Sequence, residues 1–238
     1  MAININKVYR VVLAILNKEQ RGYLTPDQFN RLGRQAQLDL FEKSFYDYNR
    51  AVIKGERIGS ASEYGDIAAN IQEKIDVFSK SGTLTFTSGV APEPNDIYRT
   101  VLITINGDTE VEQVKKTELA YLNSSKLTAP TTLYPVYYSE GENIKIFPTS
   151  IASANIDYIK IPADPIWGYT SSGGAYTYNS DAYDEEAGTG SRDFELHPSE
   201  ESLLVTKILA YAGVVLKDPT VIQVAAQEEA NKFTKENS

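Results

Sequence analysis

Apolar residues near the N-terminus recur at intervals of three and four, which is the spacing of one helix face. They are Val8, Val11, Val12, Ile15 and Leu16. A second helix is indicated by Thr25, Pro26 and Gln28, because threonine caps a helix, proline suits its first position and glutamine three residues on completes a capping box. This helix is predicted to run to about Lys54, where the glycines that follow end it.

Downstream of residue 60 a third helix is predicted. The spacing of apolar residues then changes from that of a helix to that of a strand. Ser60 and Glu63 repeat the capping-box spacing ahead of that helix. Strands are predicted around 83–87, 98–105, 135–138, 143–147 and 156–161, with a turn at Asn106-Gly107-Asp108 and a helix over 114–122.

The C-terminal third contains one long irregular segment and then returns to helix. Segment 168–192 is rich in glycine, serine and tyrosine, and it is predicted to form a long loop or an arm-like hairpin. A helix over 199–216 follows, and the joint Lys217-Asp218-Pro219 starts a last helix over 221–233.

These patterns predict an α+β fold, with a helical bundle from the N- and C-terminal helices, an inserted antiparallel β-rich region and long loops. Residues 1–80 are the N-terminal helical part, and residues 81–195 are the β-rich insertion that contains the 168–192 loop. Residues 196–238 are a C-terminal helical hairpin that packs on the N-terminal helices.

Composition excludes several kinds of chemistry. The 238 residues, 42% apolar and 23% charged, suffice for one large domain or two small ones. The absence of cysteine excludes disulfides, zinc–thiolate sites, iron–sulfur clusters and thiol nucleophiles, and the single histidine argues against a His-based metal or cofactor site. Residues 11–16 form an apolar run too short to cross a bilayer, and no targeting signal precedes it, so we expect folding in a cytoplasm and no membrane partner.

Charge is unevenly placed along this acidic chain, whose net charge is −9. Ten basic and six acidic residues give residues 1–57 a charge of +4, whereas one arginine and eight acids give residues 181–201 a charge of −7. A self-associating ring would bring such segments together, although monomers also show this asymmetry. The acidic balance argues against tight wrapping around nucleic acid.

No pattern in the sequence is typical of catalysis. His197 has the neighbours Glu195 and Ser199 that a hydrolase would use, but its place before Pro198 favours a residue at a helix entrance. Phosphate-binding glycine loops and nucleophile elbows are absent from the sequence. The acids around 181–186 lack calcium-loop spacing and are interpreted as a solvated loop. We therefore predict no catalytic, cofactor-binding or metal-binding residue and no enzyme activity.

Tyrosine is unusually frequent, with 16 residues, several of them between 169 and 183. Its large apolar ring and polar tip suit partly wet protein interfaces and also sugar-stacking platforms. The candidate interface residues are Tyr169, Tyr176, Tyr178, Tyr183, Asp184, Glu185 and Glu186.

Several stretches of the chain look familiar when they are taken in order. They are YLNSSKLTAPTTLYPVY at 121–137, IKIFP at 144–148, YIKIPADPIW at 158–167, FELHPS at 194–199, LAYAGVVLKDP at 209–219 and QVAAQ at 223–227. Together they resemble virion structural proteins of tailed bacteriophages, particularly the short-tailed crAss-like group. Within that group they look most like the head-to-tail connector proteins that form rings beneath the portal.

The resemblance implies a non-enzymatic adaptor without cofactors, located in the virion at the portal vertex after assembly in the host cytoplasm. Its partners would be copies of itself in a ring, typically of twelve, together with the portal protein and neighbouring tail or ring proteins. Packaged DNA would pass through the lumen without sequence-specific binding. The alternative interpretation is a carbohydrate-binding or adhesin-like virion module that uses the tyrosine-rich loops, and a hydrolase using His197 is the third.

Overall fold

The helical and strand-forming segments separate into two units in a computed structural model. Residues 2–18, 24–58, 61–215 and Gln227 are described, without the side chains of residues 18, 51–68, 214 and 215. Unit 1 comprises Met1–Val77 and Pro162–Ser238, and unit 2 is the segment Phe78–Ile161 between them.

Unit 1 contains four of the helices and one short hairpin. The helices are α1 (Ile5–Lys18), α2 (Pro26–Ile58), α3 (Ala61–Asp76) and α5 (Glu201–Val215), preceded by a 3-10 turn at Pro198–Glu200. The hairpin consists of β9 (Tyr169–Ser172) and β10 (Ala175–Tyr178). In unit 2 lie α4 (Lys116–Leu122) and the strands β1 (Ser79–Thr85), β2 (Val90–Pro92), β3 (Ile97–Ile105), β4 (Thr109–Glu110), β5 (Glu112–Gln113), β6 (Val136–Glu140), β7 (Asn143–Phe147) and β8 (Ser153–Lys160).

The start of α2 confirms the capping box predicted from the sequence. The Thr25 hydroxyl accepts the backbone N–H of Gln28 at 3.3 Å, and the Gln28 side chain accepts the backbone N–H of Thr25 at 3.1 Å. Two of the helix's otherwise unpaired N–H groups are thereby satisfied. The helix continues past the glycine at 55 to Ile58, further than predicted.

Unit 2 is built from two four-stranded sheets that enclose one apolar core. Their strand orders are β1-β8-β3-β4 and β2-β7-β6-β5. Alternate residues of β7 and β8, such as Ile144, Ile146 and Ile156, are fully buried in this core. The predicted Asn-Gly turn joins β3 to β4, and Asn106 and Gly107 both have positive φ, at 53° and 92°.

The far face of the second sheet is covered by α4. Leu119 of this helix packs on Val136 and Tyr138 of β6, which point away from the central core. Glu140, at the end of β6, bonds Lys116 of α4 and Lys145 of β7 at 2.5 Å each. The helix is therefore held by apolar contact along its length and by a charged bridge at its start.

The predicted α+β fold with a helical bundle is wrong. The described residues form a mixed α/β structure with five helices and three sheets, 31% of it strand, and no long terminal bundle is evident. The insertion is also not wholly antiparallel, since β5 pairs with β6 in parallel.

The reason for the missing bundle lies in what covers the helices of unit 1. Trp167 lies 4.3 Å from Tyr9 of α1, and Phe194 lies 6.3 Å from Phe29 of α2, as measured between ring centroids. Both partners belong to non-helical chain. Helical spacing predicts an apolar face, but it cannot tell an irregular segment from a second helix as the element that buries it.

Residues that belong to two of the predicted helices are not described by the structure. The capping residue Ser60 and the side chain of Glu63 are not described, and neither is the helix expected over 221–233, apart from Gln227. Among the helices that are described, none combines the length and the apolar character that crossing a bilayer requires.

Candidate interaction surfaces

Residues 169–178 of the tyrosine-rich segment form a two-stranded hairpin, which is one of the two forms predicted for the segment 168–192. Strands β9 and β10 pair from Tyr169↔Tyr178 to Ser172↔Ala175. Gly173 and Gly174 form the turn between them with positive φ at both positions, which is the geometry of a two-residue hairpin loop. Nearly every residue of the two strands is exposed.

Stacked aromatic rings anchor this hairpin on unit 1. The buried Trp167 lies 5.4 Å from Tyr178 and 6.0 Å from Tyr169, and Tyr169 meets Tyr176 edge-on at 5.1 Å. Asn30 of α2 holds the backbone of Trp167, since its side-chain oxygen accepts the Trp167 N–H at 2.8 Å. The structure thus brings Tyr169, Tyr176 and Tyr178 together on a hairpin with a fixed base.

The other four candidate residues lie in the acidic loop, and internal contacts order it. The Asp184 carboxylate accepts the backbone N–H groups of Glu186 and Ala187 at 2.9 and 3.2 Å. Arg192 lies 4.7 Å from the Tyr183 ring centroid and pairs with Glu185 at 2.8 Å. Tyr183, Asp184 and Glu185 therefore serve the loop's own conformation.

A further surface, which the sequence analysis missed, lies in unit 2 between α4 and β6. Four large apolar side chains there, at positions 121, 127, 133 and 134, each expose 75% or more of their area, and Leu127 exposes 95%. We call Tyr121, Leu127, Leu133 and Tyr134, together with the groove that Leu127 and Tyr134 line, the loop surface. The groove has a volume of about 690 Å³, and the carboxylates of Glu110 and Glu112 lie along it.

Short polar contacts hold this loop in place. The Thr128 hydroxyl donates to the Leu122 carbonyl at 2.8 Å, and the Ser124 hydroxyl donates to the Tyr121 carbonyl at 2.6 Å. Its apolar side chains are therefore presented on an ordered backbone. The available signal was that 121–135 carries leucine and tyrosine without helical or strand periodicity.

The structure places His197 at the start of the helical turn Pro198–Glu200, which confirms its interpretation as a residue at a helix entrance. Its Nδ1 accepts the backbone N–H of Ser199 at 3.3 Å and lies 2.8 Å from the Ser199 hydroxyl. The neighbouring Glu195 accepts the Ala163 N–H at 2.8 Å, so its carboxylate is engaged with backbone. In the described ranges no three acidic, histidine or cysteine side chains come together as a metal site would require.

The sequence matches no protein-family model and no curated protein.

Proposed function

We propose that the protein is a non-enzymatic structural subunit of a tailed-phage virion. In this proposal it assembles with copies of itself into a ring, docks on the portal protein and connects capsid to tail, so that the DNA channel continues through it. Its location is the portal vertex of the virion, after assembly in the host cytoplasm. The observation that carries the proposal is the loop surface of unit 2.

The loop surface supports a role in assembly because its side chains are left in water at a cost. Burying a side chain such as Leu127 in an interface contributes about 1.5–3 kcal/mol. Soluble monomers rarely keep several large apolar side chains exposed close together unless a partner covers them. The ordered backbone beneath them reduces the entropy lost on docking.

Ring formation also needs two different contact surfaces on each subunit, because a ring grows head to tail. Unit 2 offers the apolar loop surface, and unit 1 offers the anchored tyrosine hairpin and the basic helix α1. The net charge of −9 supports a lumen through which DNA passes without being held.

The non-enzymatic assignment is supported by the structural roles of the two residues, His197 and Glu195, that a hydrolase would need. His197 caps a helical turn and Glu195 accepts a backbone N–H, so each has a structural role. If His197→Ala abolished a hydrolytic activity of the purified protein, this part of the proposal would be wrong.

Electron cryomicroscopy of intact particles tests the proposal directly. We expect several symmetry-related copies of this chain between portal and tail. A single copy per particle, or a location away from the vertex through which the genome leaves, contradicts it. Light scattering with and without the portal protein gives a second test, in which a chain that stays monomeric beside its portal also counts against a ring.

The carbohydrate-binding alternative has less support from the hairpin geometry. Sugar platforms need open ring faces, whereas Trp167 is buried and Tyr169 meets Tyr176 edge-on. A glycan array with the native chain and with Tyr176→Ala and Tyr178→Ala separates the two functions. The adaptor is expected to bind no glycan, and tyrosine-dependent binding would favour the alternative.

A further inference from the structure

Helix α1 buries only part of the apolar stripe that its sequence predicts. Val8, Val12 and Leu16 are fully buried in unit 1, whereas Val11 and Ile15 expose 38% and 40% of their area. A groove of about 470 Å³ lies beside Val11 and continues along the start of α5, where Val205 lines it. Helix α1 therefore presents a second, outward apolar face.

This outward face is basic, because Arg10 is exposed next to Val11. The groove beside it also has one acidic edge, formed by Glu201, which pairs with Lys7 at 2.7 Å. The outer face of α1 is thus apolar at its centre, with an exposed cation on one side and an ion pair on the other.

The loop surface of unit 2 has the complementary arrangement. Its apolar centre is Leu127, and Glu110 and Glu112 are exposed carboxylates along its groove. Lys126, next to Leu127, is exposed as well. The carboxylates here are opposite in charge to Arg10, whereas Glu201 is already paired with Lys7.

We propose that the loop surface of one copy binds the outer face of α1 in a second copy of the chain. Leu127 packs against Val11 and Ile15, while Glu110 and Glu112 face Arg10. The contact is heterologous, so each copy uses both surfaces. Each copy is related to the next by the same rotation, which closes the ring. This inference rests on the proposed function and names the subunit contact within it.

A second copy is the occupant that the observations favour, because one chain carries both members of the matched pair. Apolar area supplies the affinity, and the opposite charges fix which surfaces meet and in which register. A different protein that bound the loop surface would have to present the same combination of exposed apolar side chains and a neighbouring cation that the outer face of α1 presents.

Cross-linking between single-cysteine variants tests the contact, since the native chain has no cysteine. Val11→Cys and Leu127→Cys chains are mixed in equal amounts and treated with a short bifunctional thiol reagent. We expect a mixed dimer containing one chain of each variant, identified by peptide mass spectrometry. The matched control replaces Leu127→Cys with Ser171→Cys on the exposed hairpin, and its yield is expected to be about tenfold lower.

Charge reversal gives an independent measurement in the same mixtures. Arg10→Glu on the Val11→Cys chain is expected to lower the cross-linking yield by about threefold to tenfold. Glu110→Arg with Glu112→Arg on the Leu127→Cys chain is expected to restore it. Circular dichroism of each variant establishes that it is folded, and Ile15→Cys replaces Val11→Cys if the latter is not.

Four outcomes overturn the inference. The first is a Val11→Cys chain whose thiol is protected from reagent in the dilute monomer, because the face is then covered within its own chain. The second is a Leu127→Cys chain that cross-links to a different part of the second copy. The third is failed cross-linking while native mass spectrometry, with portal protein present, shows rings, in which case the ring proposal survives. If no oligomer forms with or without portal protein, both proposals fail.

Discussion

Gly190 shows how much of the acidic loop depends on a single residue. Its φ is +95°, and a Cβ at this position would lie 2.3 Å from the carbonyl oxygen of Ala182. Chain segments on either side of the loop approach closely here, since Ser191 donates its N–H to the Asp181 carbonyl at 2.7 Å. A side chain of any size would push these segments apart.

We therefore expect Gly190→Ala to destabilise unit 1 by at least about 3 kcal/mol, because it adds a steric clash to backbone strain. Gly188→Ala is the matched control, since Gly188 also has positive φ but has open space around it. Its cost is expected to be about 1 kcal/mol. Urea unfolding followed by the fluorescence of the single tryptophan measures both, and equal effects would contradict the steric argument.

At the scale of elements, the buried side of α4 and the exposed loop that follows it have different roles. Leu119 is buried against β6, whereas Leu127 is almost fully in water. The same substitution at these two leucines separates stability from assembly.

Leu119→Ala is expected to destabilise unit 2 by about 2–3 kcal/mol, because it removes buried methyl groups and leaves a cavity. Leu127→Ala is expected to change the free energy of unfolding by less than about 0.5 kcal/mol, as at other exposed positions. Urea unfolding followed by circular dichroism measures both variants. A large loss of stability in Leu127→Ala would mean that this residue supports the fold, and the loop surface would lose its assigned role.

The charged bridge between α4 and the β6–β7 hairpin makes a prediction about pH. Hydrogen bonds from Lys116 and then Lys145 lower the pKa of Glu140 from 4.5 to about 2. A carboxylate with a depressed pKa stabilises the folded state above its unfolded pKa, and this contribution is lost as the pH falls toward the folded value.

Glu140→Gln should therefore have a lower urea midpoint than the native chain at pH 6, and the difference should shrink below about pH 4.5 and vanish below about pH 2. Glu142→Gln, at an exposed position two residues on, is the control for the loss of one negative charge from this hairpin. A difference that stays constant from pH 6 to pH 2 would exclude the ion pairs as its source.

At the scale of the whole molecule, unit 2 is one continuous segment with its own core. The 13 buried residues of its main cluster all lie between residues 84 and 158. Its two ends are neighbours, because Lys160 donates its N–H to the Phe78 carbonyl at 2.9 Å. A segment with adjacent ends and an internal core has the features of an independent domain.

A fragment spanning 78–161 is accordingly expected to fold without unit 1, with a cooperative urea transition and dispersed amide resonances. The matched control is the same fragment with Ile156→Asp, which places a charge in the core and should abolish the transition. An unfolded native fragment would show that unit 2 depends on the rest of the chain.

Much of the local structure follows from the sequence alone. The capping box at Thr25 and Gln28 and the turn at Asn106-Gly107 form as predicted, and a hairpin was one of the two forms predicted for the segment 168–192. In each case the residues that decide the conformation are only a few positions apart. Backbone preference and short-range hydrogen bonds act between such neighbours, so one sequence suffices to locate them.

The tertiary structure decided which apolar residues are buried and what covers them. It divided the α1 stripe into a buried side with Val8 and an outward side with Val11, and it replaced the expected bundle with Trp167 and Phe194 from irregular chain. It also left Leu127 in water. Side chains of unit 1 are buried by residues far away in the sequence, as Tyr9 is by Trp167. The local sequence pattern around Tyr9 therefore does not identify the residue that covers it.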